Sequence, residues 1–197
     1  MATKQRGRPR SFDREAALEQ ATLAFWEHGY ETTSVADLTR VMGIGAPSLY
    51  AAFGDKKALF AEVMGHYART YAAFSVRALD EEPTAREGLA RMLRETAAEF
   101  TGDGHPRGCL MISAGINCTT PEVVEALRER RNGNIRSFTS RIAADQAAGH
   151  LPADADPAAL ARFAGAVLQG MSQQARDGAT REELEALVDV ATAAWPR

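Results

Sequence analysis

Apolar residues recur at intervals of three or four along most of this 197-residue chain, which is the spacing of amphipathic α-helices. Helix-capping residues, prolines and glycines divide this pattern into separate elements. Nine helices are predicted, over about 13–28, 34–42, 47–53, 55–74, 84–100, 109–117, 120–148, 156–177 and 180–195. Since no segment shows the alternation of a half-buried strand, we expect an all-α fold.

Composition supports this fold and excludes several classes of protein. The chain has 38 alanines and only 7% aromatic residues, which favours helices. Two cysteines and four scattered histidines are too few and too poorly spaced for a disulfide scaffold or a zinc module. We therefore expect no metal and no cofactor.

No membrane partner is expected either. The basic N-terminus is followed by charged residues rather than the apolar core of a secretory signal. No uncharged run is longer than that of residues 108–121, which is too short to span a bilayer. The predicted location is the cytoplasm.

Charge is concentrated at one end of the chain. The net charge is −3, yet residues 1–10 carry four cations and no anion. Arg6, Arg8 and Arg10 alternate with Gly7 and Pro9, which would give a thin, extended arm suited to a DNA minor groove. A solvated terminus without a partner is the alternative.

Residues 34–53 have the pattern of a helix-turn-helix motif. Two short predicted helices flank a turn at Gly43-Ile44-Gly45. Apolar residues on both helices would fix their crossing: Val35, Leu38, Met42, Leu49 and Phe53. The second helix would then present its first turn, Ala46-Pro47-Ser48, to the major groove.

This segment resembles the TetR family of bacterial transcriptional regulators. The motifs that carry the resemblance are Gly29-Tyr30-Glu31-Thr32-Thr33-Ser34, Gly43-Ile44, Leu49-Tyr50, Phe53-Gly54-Asp55-Lys56 and Ala58-Leu59-Phe60. The resemblance implies three parts: a flexible basic arm over 1–10, a three-helix DNA-binding domain over 11–64, and a helical effector-binding and dimerisation domain over 65–197.

The resemblance also implies which residues contact DNA. Thr33 or Ser34, Tyr50 and Lys56 would bind phosphates and position the protein. Bases would be read by Ala46, Pro47 and Ser48. Because these side chains are short, we expect thymine methyl contacts, DNA shape and the arginine arm to supply much of the specificity.

The C-terminal helices are expected to enclose a hydrophobic effector and to form a homodimer. Residues expected to face the effector are Met64, Tyr67, Tyr71, Met92, Leu93, Cys109, Met111, Asn117 and Phe138. The resemblance implies that the last two helices form the dimer interface, and the alternative is that their apolar stripes only close the chain's own core. The residues expected there are Leu160, Phe163, Val167, Met171, Leu184, Leu187, Val188 and Trp195.

Cys109 suggests an alternative mode of regulation. It lies at the predicted start of a helix, close in sequence to His105 and Arg107. A helix N-terminus and neighbouring cations stabilise a thiolate, so Cys109 could sense electrophiles or oxidants. A small buried hydrophobic residue is the competing interpretation.

These observations predict a dimeric repressor that binds a pseudo-palindromic operator and is released by a small hydrophobic molecule. Two alternatives of other classes are a helical enzyme and a nonspecific architectural DNA-binding protein. The sequence lacks a phosphate-binding loop, a His-Glu-x-x-His motif and a nucleophile elbow, which argues against the enzyme. The acidic body of the chain argues against the architectural protein.

Overall fold

A computed structural model of the chain describes residues 12–196, which form ten α-helices. In chain order they are α1 (Arg14–His28), α2 (Val35–Met42), α3 (Ala46–Phe53), α4 (Lys56–Thr70), α5 (Ala73–Glu81), α6 (Ala85–Phe100), α7 (Leu110–Ser113), α8 (Pro121–Ala147), α9 (Pro157–Arg176) and α10 (Arg181–Ala193). None of these helices is both long and apolar enough to cross a membrane. The predicted all-α fold is confirmed.

Side-chain caps set the start of the N-terminal helices. The Asp13 carboxylate accepts hydrogen bonds from two backbone N–H groups of the first turn of α1. Ser34 and Asp37 form a reciprocal capping box at α2. Gly43 ends α2 with a φ of 66°, a left-handed conformation that glycine adopts without strain, so the chain turns sharply into α3.

The first cluster of buried apolar residues lies among α1–α4. Phe25 and Trp26 of α1 are fully buried there with Phe60 of α4. Leu110 of α7 and Leu127 of α8 belong to the same cluster. The four N-terminal helices therefore share a core with two helices from the C-terminal part of the chain.

The second cluster fills the space among α5, α6, α8, α9 and α10. Its fully buried members include Met92, Ile142, Met171, Leu184 and Val188. Because α8 packs against α9 and α6 packs against α10, the cluster is enclosed by the helix faces that the sequence pattern predicts to be apolar.

The predicted fourth helix is divided in the structure. α4 ends at Thr70, and a new helix begins at Ala73. Tyr71 contacts Trp26 with a ring separation of 5.1 Å and donates a hydrogen bond to the Glu19 carboxylate, whereas Phe74 packs against the second cluster. Tyr71 packs against the first cluster and Phe74 against the second. The helix therefore breaks between them, although the apolar residues continue with helical spacing.

The helix predicted over 109–117 is also shorter than expected. Only Leu110–Ser113 is α-helical, and Asn117 has a φ of 57° that reverses the chain before α8. In this segment the carbonyl of Ala114 accepts a hydrogen bond from the backbone N–H of Tyr30 at 3.3 Å. The contact joins the end of α7 to the loop that follows α1.

Candidate nucleic-acid interface and effector cavity

The element that fits a DNA groove is α3. Leu38 of α2 and Leu49 of α3 are both fully buried, so the two helices pack together in a fixed arrangement. Gly45 precedes α3, and Pro47 occupies its first turn, where a missing N–H costs no helical hydrogen bond. The start of α3 is thereby held rigidly on the domain.

The outer surface of α3 carries small and neutral side chains. Pro47, Ser48, Tyr50 and Ala51 are exposed, and Ala46 is half-buried. Tyr50 is 52% exposed although it is large and aromatic. With no charged residue on α3, the hydroxyl groups of Ser48 and Tyr50 are its side-chain hydrogen-bonding groups, and the remaining contacts are apolar.

The structure separates the two candidates at the start of α2. Thr33 is buried, and its hydroxyl donates to the carbonyl of Gly29 at 2.6 Å. Ser34 is exposed and is the cap residue of α2. The exposed N-terminus of α2 is therefore placed to meet a phosphate through its free N–H groups, while the Ser34 hydroxyl donates to Asp37 Oδ2 at 2.6 Å. The buried side chain of Thr33 is not placed to meet one.

Lys56 begins α4 and is held against the loop that precedes α2. Its Nζ lies 4.2 Å from the centre of the Tyr30 ring and 3.4 Å from the carbonyl oxygen of Glu31. Burial lowers the pKa of Lys56, while the Glu31 carboxylate raises it. The ammonium group is thus positioned at the N-terminus of α4, where an anion is favoured.

Arginines are the other candidate cations for contact with DNA. Arg40 is exposed on α2 and forms an ion pair with Asp37. Arg6, Arg8 and Arg10 lie outside the described residues.

Glu31 links the loop between α1 and α2 to the start of α8, a role that sequence reasoning missed. Its carboxylate accepts hydrogen bonds from the N–H of Thr119 at 3.0 Å and the hydroxyl of Thr120 at 3.3 Å. The Thr119 N–H is the main cause that lowers the pKa of Glu31 to about 2, so the carboxylate stays ionised near neutral pH. Lys57 and Glu122 add an ion pair of 3.1 Å across the same junction.

A second polar junction connects α1 to the break between α4 and α5. Glu19 accepts hydrogen bonds from the Tyr71 hydroxyl and from His66 Nε2, the latter at 2.7 Å. Burial is the main cause that raises the pKa of Tyr71, so its hydroxyl remains a donor. Tyr71 also lines the cavity described next.

A cavity of about 140 Å³ lies among α4, α5, α6, α7, α8 and α9. Most of its wall is apolar, and six of the nine residues predicted from the sequence line it: Tyr67, Tyr71, Met92, Cys109, Met111 and Phe138. Further aromatic wall comes from Phe74 and Phe100. Among the described residues, Arg131 of α8 is the one charged member of the lining.

The three other predicted residues lie elsewhere. Met64 is buried in the first core cluster. Leu93, on α6, is buried in the second cluster. Asn117 is exposed in the turn before α8. Met64 and Leu93 follow the helical pattern, but periodicity alone does not separate the residues that pack in a core from those that line a cavity.

Cys109 is in the cavity wall, but its environment differs from the thiolate site predicted above. Burial raises the pKa of its thiol, and the hydrogen bond that Tyr67 Oη donates to Sγ at 3.4 Å lowers it only in part. His105 instead stacks on Trp26, and Arg107 donates to the carbonyl of Ala179. The structure thus favours the neutral thiol, because burial outweighs the hydrogen bond from Tyr67 and because His105 and Arg107 are engaged elsewhere.

The surface of α9 and α10 differs from the predicted dimer interface. Met171, Leu184 and Val188 are fully buried inside the protein's own core. Most of the other predicted residues are at least partly buried against the same cluster: Leu160, Val167, Leu187 and Trp195.

An exposed apolar surface remains on these two helices. Phe163 is 40% exposed and Val190 is 72% exposed. Ala166, Ala186 and Ala193 are exposed at helical spacings from them. We call this surface, formed by Phe163, Ala166, Ala186, Val190 and Ala193, the α9/α10 face.

Two family models match the chain. Residues 17–63 match the model of bacterial regulatory proteins of the tetR family, and residues 83–190 match a tetracyclin repressor-like C-terminal domain. The HTH-type transcriptional repressor ComR of Escherichia coli (strain K12) is 38% identical over 98% of this chain and 93% of ComR. The HTH-type transcriptional repressor BdcR of the same strain is 31% identical over 93% of this chain and 91% of BdcR.

A solved structure is similar over almost the whole length. It is a cysteine mutant of the TetR family transcriptional regulator CifR in complex with a 26bp double-strand operator DNA. The two chains are 47% identical with a TM-score of 0.91, and the match covers 96% of this chain and 100% of the CifR chain.

Proposed function

Since this chain belongs to the TetR family and is a DNA-binding transcriptional repressor, we propose that it binds a pseudo-palindromic operator as a homodimer and is released by a small hydrophobic effector. The observation that carries the proposal is the pairing, in one chain, of an exposed α3 with an apolar cavity that contacts the same domain. The similarity to CifR, whose solved structure contains operator DNA, supports the proposed binding to an operator.

On DNA, α3 enters the major groove and the residues around it bind the backbone. Ser34, Tyr50 and Lys56 contact phosphates, which fix the register of the protein. Pro47 and Ser48 meet base edges at the start of α3. The contribution of α3 to sequence preference is small because a serine hydroxyl forms few specific contacts, so DNA shape contributes strongly.

Homodimerisation uses the α9/α10 face. An exposed surface of valine, phenylalanine and alanine on two adjacent helices is suited to packing against its own copy, because a two-fold axis brings the same patch together. The dimer places two copies of α3 on one side of the DNA, which explains why the operator is expected to be an inverted repeat.

Effector binding reaches DNA through the contacts between the cavity wall and α1. Tyr71 lines the cavity and is hydrogen-bonded to Glu19 of α1, and Met111 of α7 lines the cavity three residues before the Ala114 carbonyl that binds Tyr30. A molecule that fills the cavity shifts the equilibrium toward a conformation in which these contacts are displaced. The spacing of the two α3 helices then no longer matches the operator.

Two substitutions separate positioning from base reading. Lys56→Ala is expected to weaken binding to all DNA sequences and to reduce the salt slope of log K by about one, because one phosphate contact is lost. Ser48→Ala is expected to leave the salt slope unchanged and to alter the relative affinity for operators that differ at one base pair, by about 1 kcal/mol. Fluorescence anisotropy with labelled operator at several salt concentrations measures both.

The control is Arg136→Ala, which removes an exposed cation of α8 that is paired with Glu129. It is expected to bind the operator as the unmodified protein does. If Lys56→Ala and Ser48→Ala both behave like Arg136→Ala, the proposed contacts are incorrect.

A further inference from the structure

The size of the cavity limits what it can hold. An apolar void of about 150 Å³ accommodates a molecule the size of benzene, and the cavity here has a volume of about 140 Å³. Five aromatic side chains form much of its wall: Tyr67, Tyr71, Phe74, Phe100 and Phe138. This lining and volume suit one aromatic ring with a short substituent.

The charge in the lining is positive and has no anionic partner. Arg131 Nη1 donates to the carbonyl of Met111 at 3.1 Å, and within residues 12–196 no carboxylate oxygen lies within ion-pair distance of this guanidinium. Two other arginines of α8, Arg136 and Arg141, are paired with Glu129 and Asp145. Arg131 therefore retains donors and a charge that a ligand can use.

The charge of Arg131 acts inside the cavity. Burial raises the pKa of the Cys109 thiol, and the Arg131 charge is the weakest of the effects that lower it, so these two residues of the wall lie within electrostatic reach of each other. Glu19 and Glu99 lie near the tyrosines but do not line the cavity, and they are engaged with His66, Tyr71 and His105. No Asp or Glu is among the lining residues in the part of the chain that the structure describes.

We infer that the cavity binds a small aromatic molecule that carries an anionic group, with its ring against the aromatic wall and its anion paired with Arg131. The inference rests on the proposed function and narrows the effector from any small hydrophobic molecule to an aromatic anion. A hydrogen bond between a guanidinium and a carboxylate is assisted by charge on both groups and is stronger than one to a neutral amide. The anion therefore supplies the selectivity and the ring supplies the apolar contact.

The test compares two probes that differ only in charge, phenylacetate and phenylacetamide, by isothermal titration calorimetry with the full-length chain. Phenylacetate is expected to bind about tenfold more tightly than phenylacetamide. Arg131→Met is expected to abolish this preference, and Arg131→Lys is expected to retain part of it. Arg130→Met, which removes an adjacent exposed cation outside the cavity lining, is expected to keep the full preference.

Three outcomes would overturn the inference: equal binding of the two probes, no binding of either, or a preference that survives Arg131→Met. A separate anisotropy measurement with operator DNA tests the proposed function. Phenylacetate that binds without releasing the operator supports the assigned ligand class and contradicts its role as effector. Release by phenylacetamide with no preference for the anion supports an effector cavity and contradicts the role of Arg131.

Discussion

Replacing Val190 with arginine is expected to dissociate the proposed homodimer and to lower operator affinity by roughly a thousandfold, or about 4 kcal/mol. Val190 is 72% exposed in the single chain and belongs to the α9/α10 face. A two-fold axis would place the new arginine in the interface twice, once from each copy. An unpaired guanidinium there loses water without gaining a partner. Light scattering measures the oligomeric state, and anisotropy measures the operator affinity.

Val124→Arg is the matched control for this prediction. Val124 is also a surface valine, 36% exposed, but it lies on α8 outside the α9/α10 face. We expect this variant to remain dimeric and to bind the operator normally. A Val190→Arg protein that remains a dimer at micromolar concentration would show that the chain associates through another surface.

Gly108→Ala is expected to destabilise the protein by about 4 kcal/mol, because two separate costs combine at one position. Gly108 has a φ of 80°, which strains any residue with a Cβ. A Cβ there would also lie 2.7 Å from the carbonyl oxygen of Ser172 in α9. The next residue, Cys109, is fixed to the same place by a hydrogen bond from its N–H to Ser172 Oγ at 2.9 Å.

The comparison with Gly104→Ala isolates the steric cost. Gly104 lies in the same loop with a φ of 91°, but a Cβ added there would meet no described atom within 4 Å. We expect Gly104→Ala to cost about 1 kcal/mol, from backbone strain alone. Urea unfolding measures the free energies of both variants, and equal losses would mean that the approach of Gly108 to α9 is not tight.

The DNA-binding part of the fold was predictable because its signals are local. Ser34 and Asp37 lie three residues apart, as a capping box requires, and Gly43 marks the end of α2. The periodic apolar residues Leu38 and Leu49 are both fully buried, as the pattern predicts. A hydroxyl at the start of α2 could also be predicted, but the sequence did not distinguish Thr33 from Ser34.

The division of α4 from α5 could not be predicted from the local pattern. Neither a proline nor a glycine occurs at Tyr71 or beside it, and the apolar residues continue with helical spacing. The break depends on Glu19, 52 residues away, and on a second core that holds Phe74. Glu31 is a similar case, since the groups it binds are 88 and 89 residues away.

The predicted dimer residues show a related limit. Periodicity identifies the apolar positions of α9 and α10, but it does not tell which of them face the chain's own core. Val188 is fully buried and Val190 is largely exposed, although both are valines in the same helix. The most hydrophobic stripe of each helix therefore consists mainly of core residues. The residues that remain available to a second copy lie on another side of the helix.

The most direct test of the central proposal is selection of bound fragments from a pool of random duplex DNA at near-physiological salt. A two-fold symmetric dimer is expected to enrich an inverted repeat whose half-sites are about 10 base pairs apart, one helical turn, or a multiple of that distance. Such a sequence would establish a two-fold symmetric reader and supply the operator for effector experiments. Binding of bulk DNA with no enriched sequence would contradict the proposal and would favour a nonspecific architectural protein.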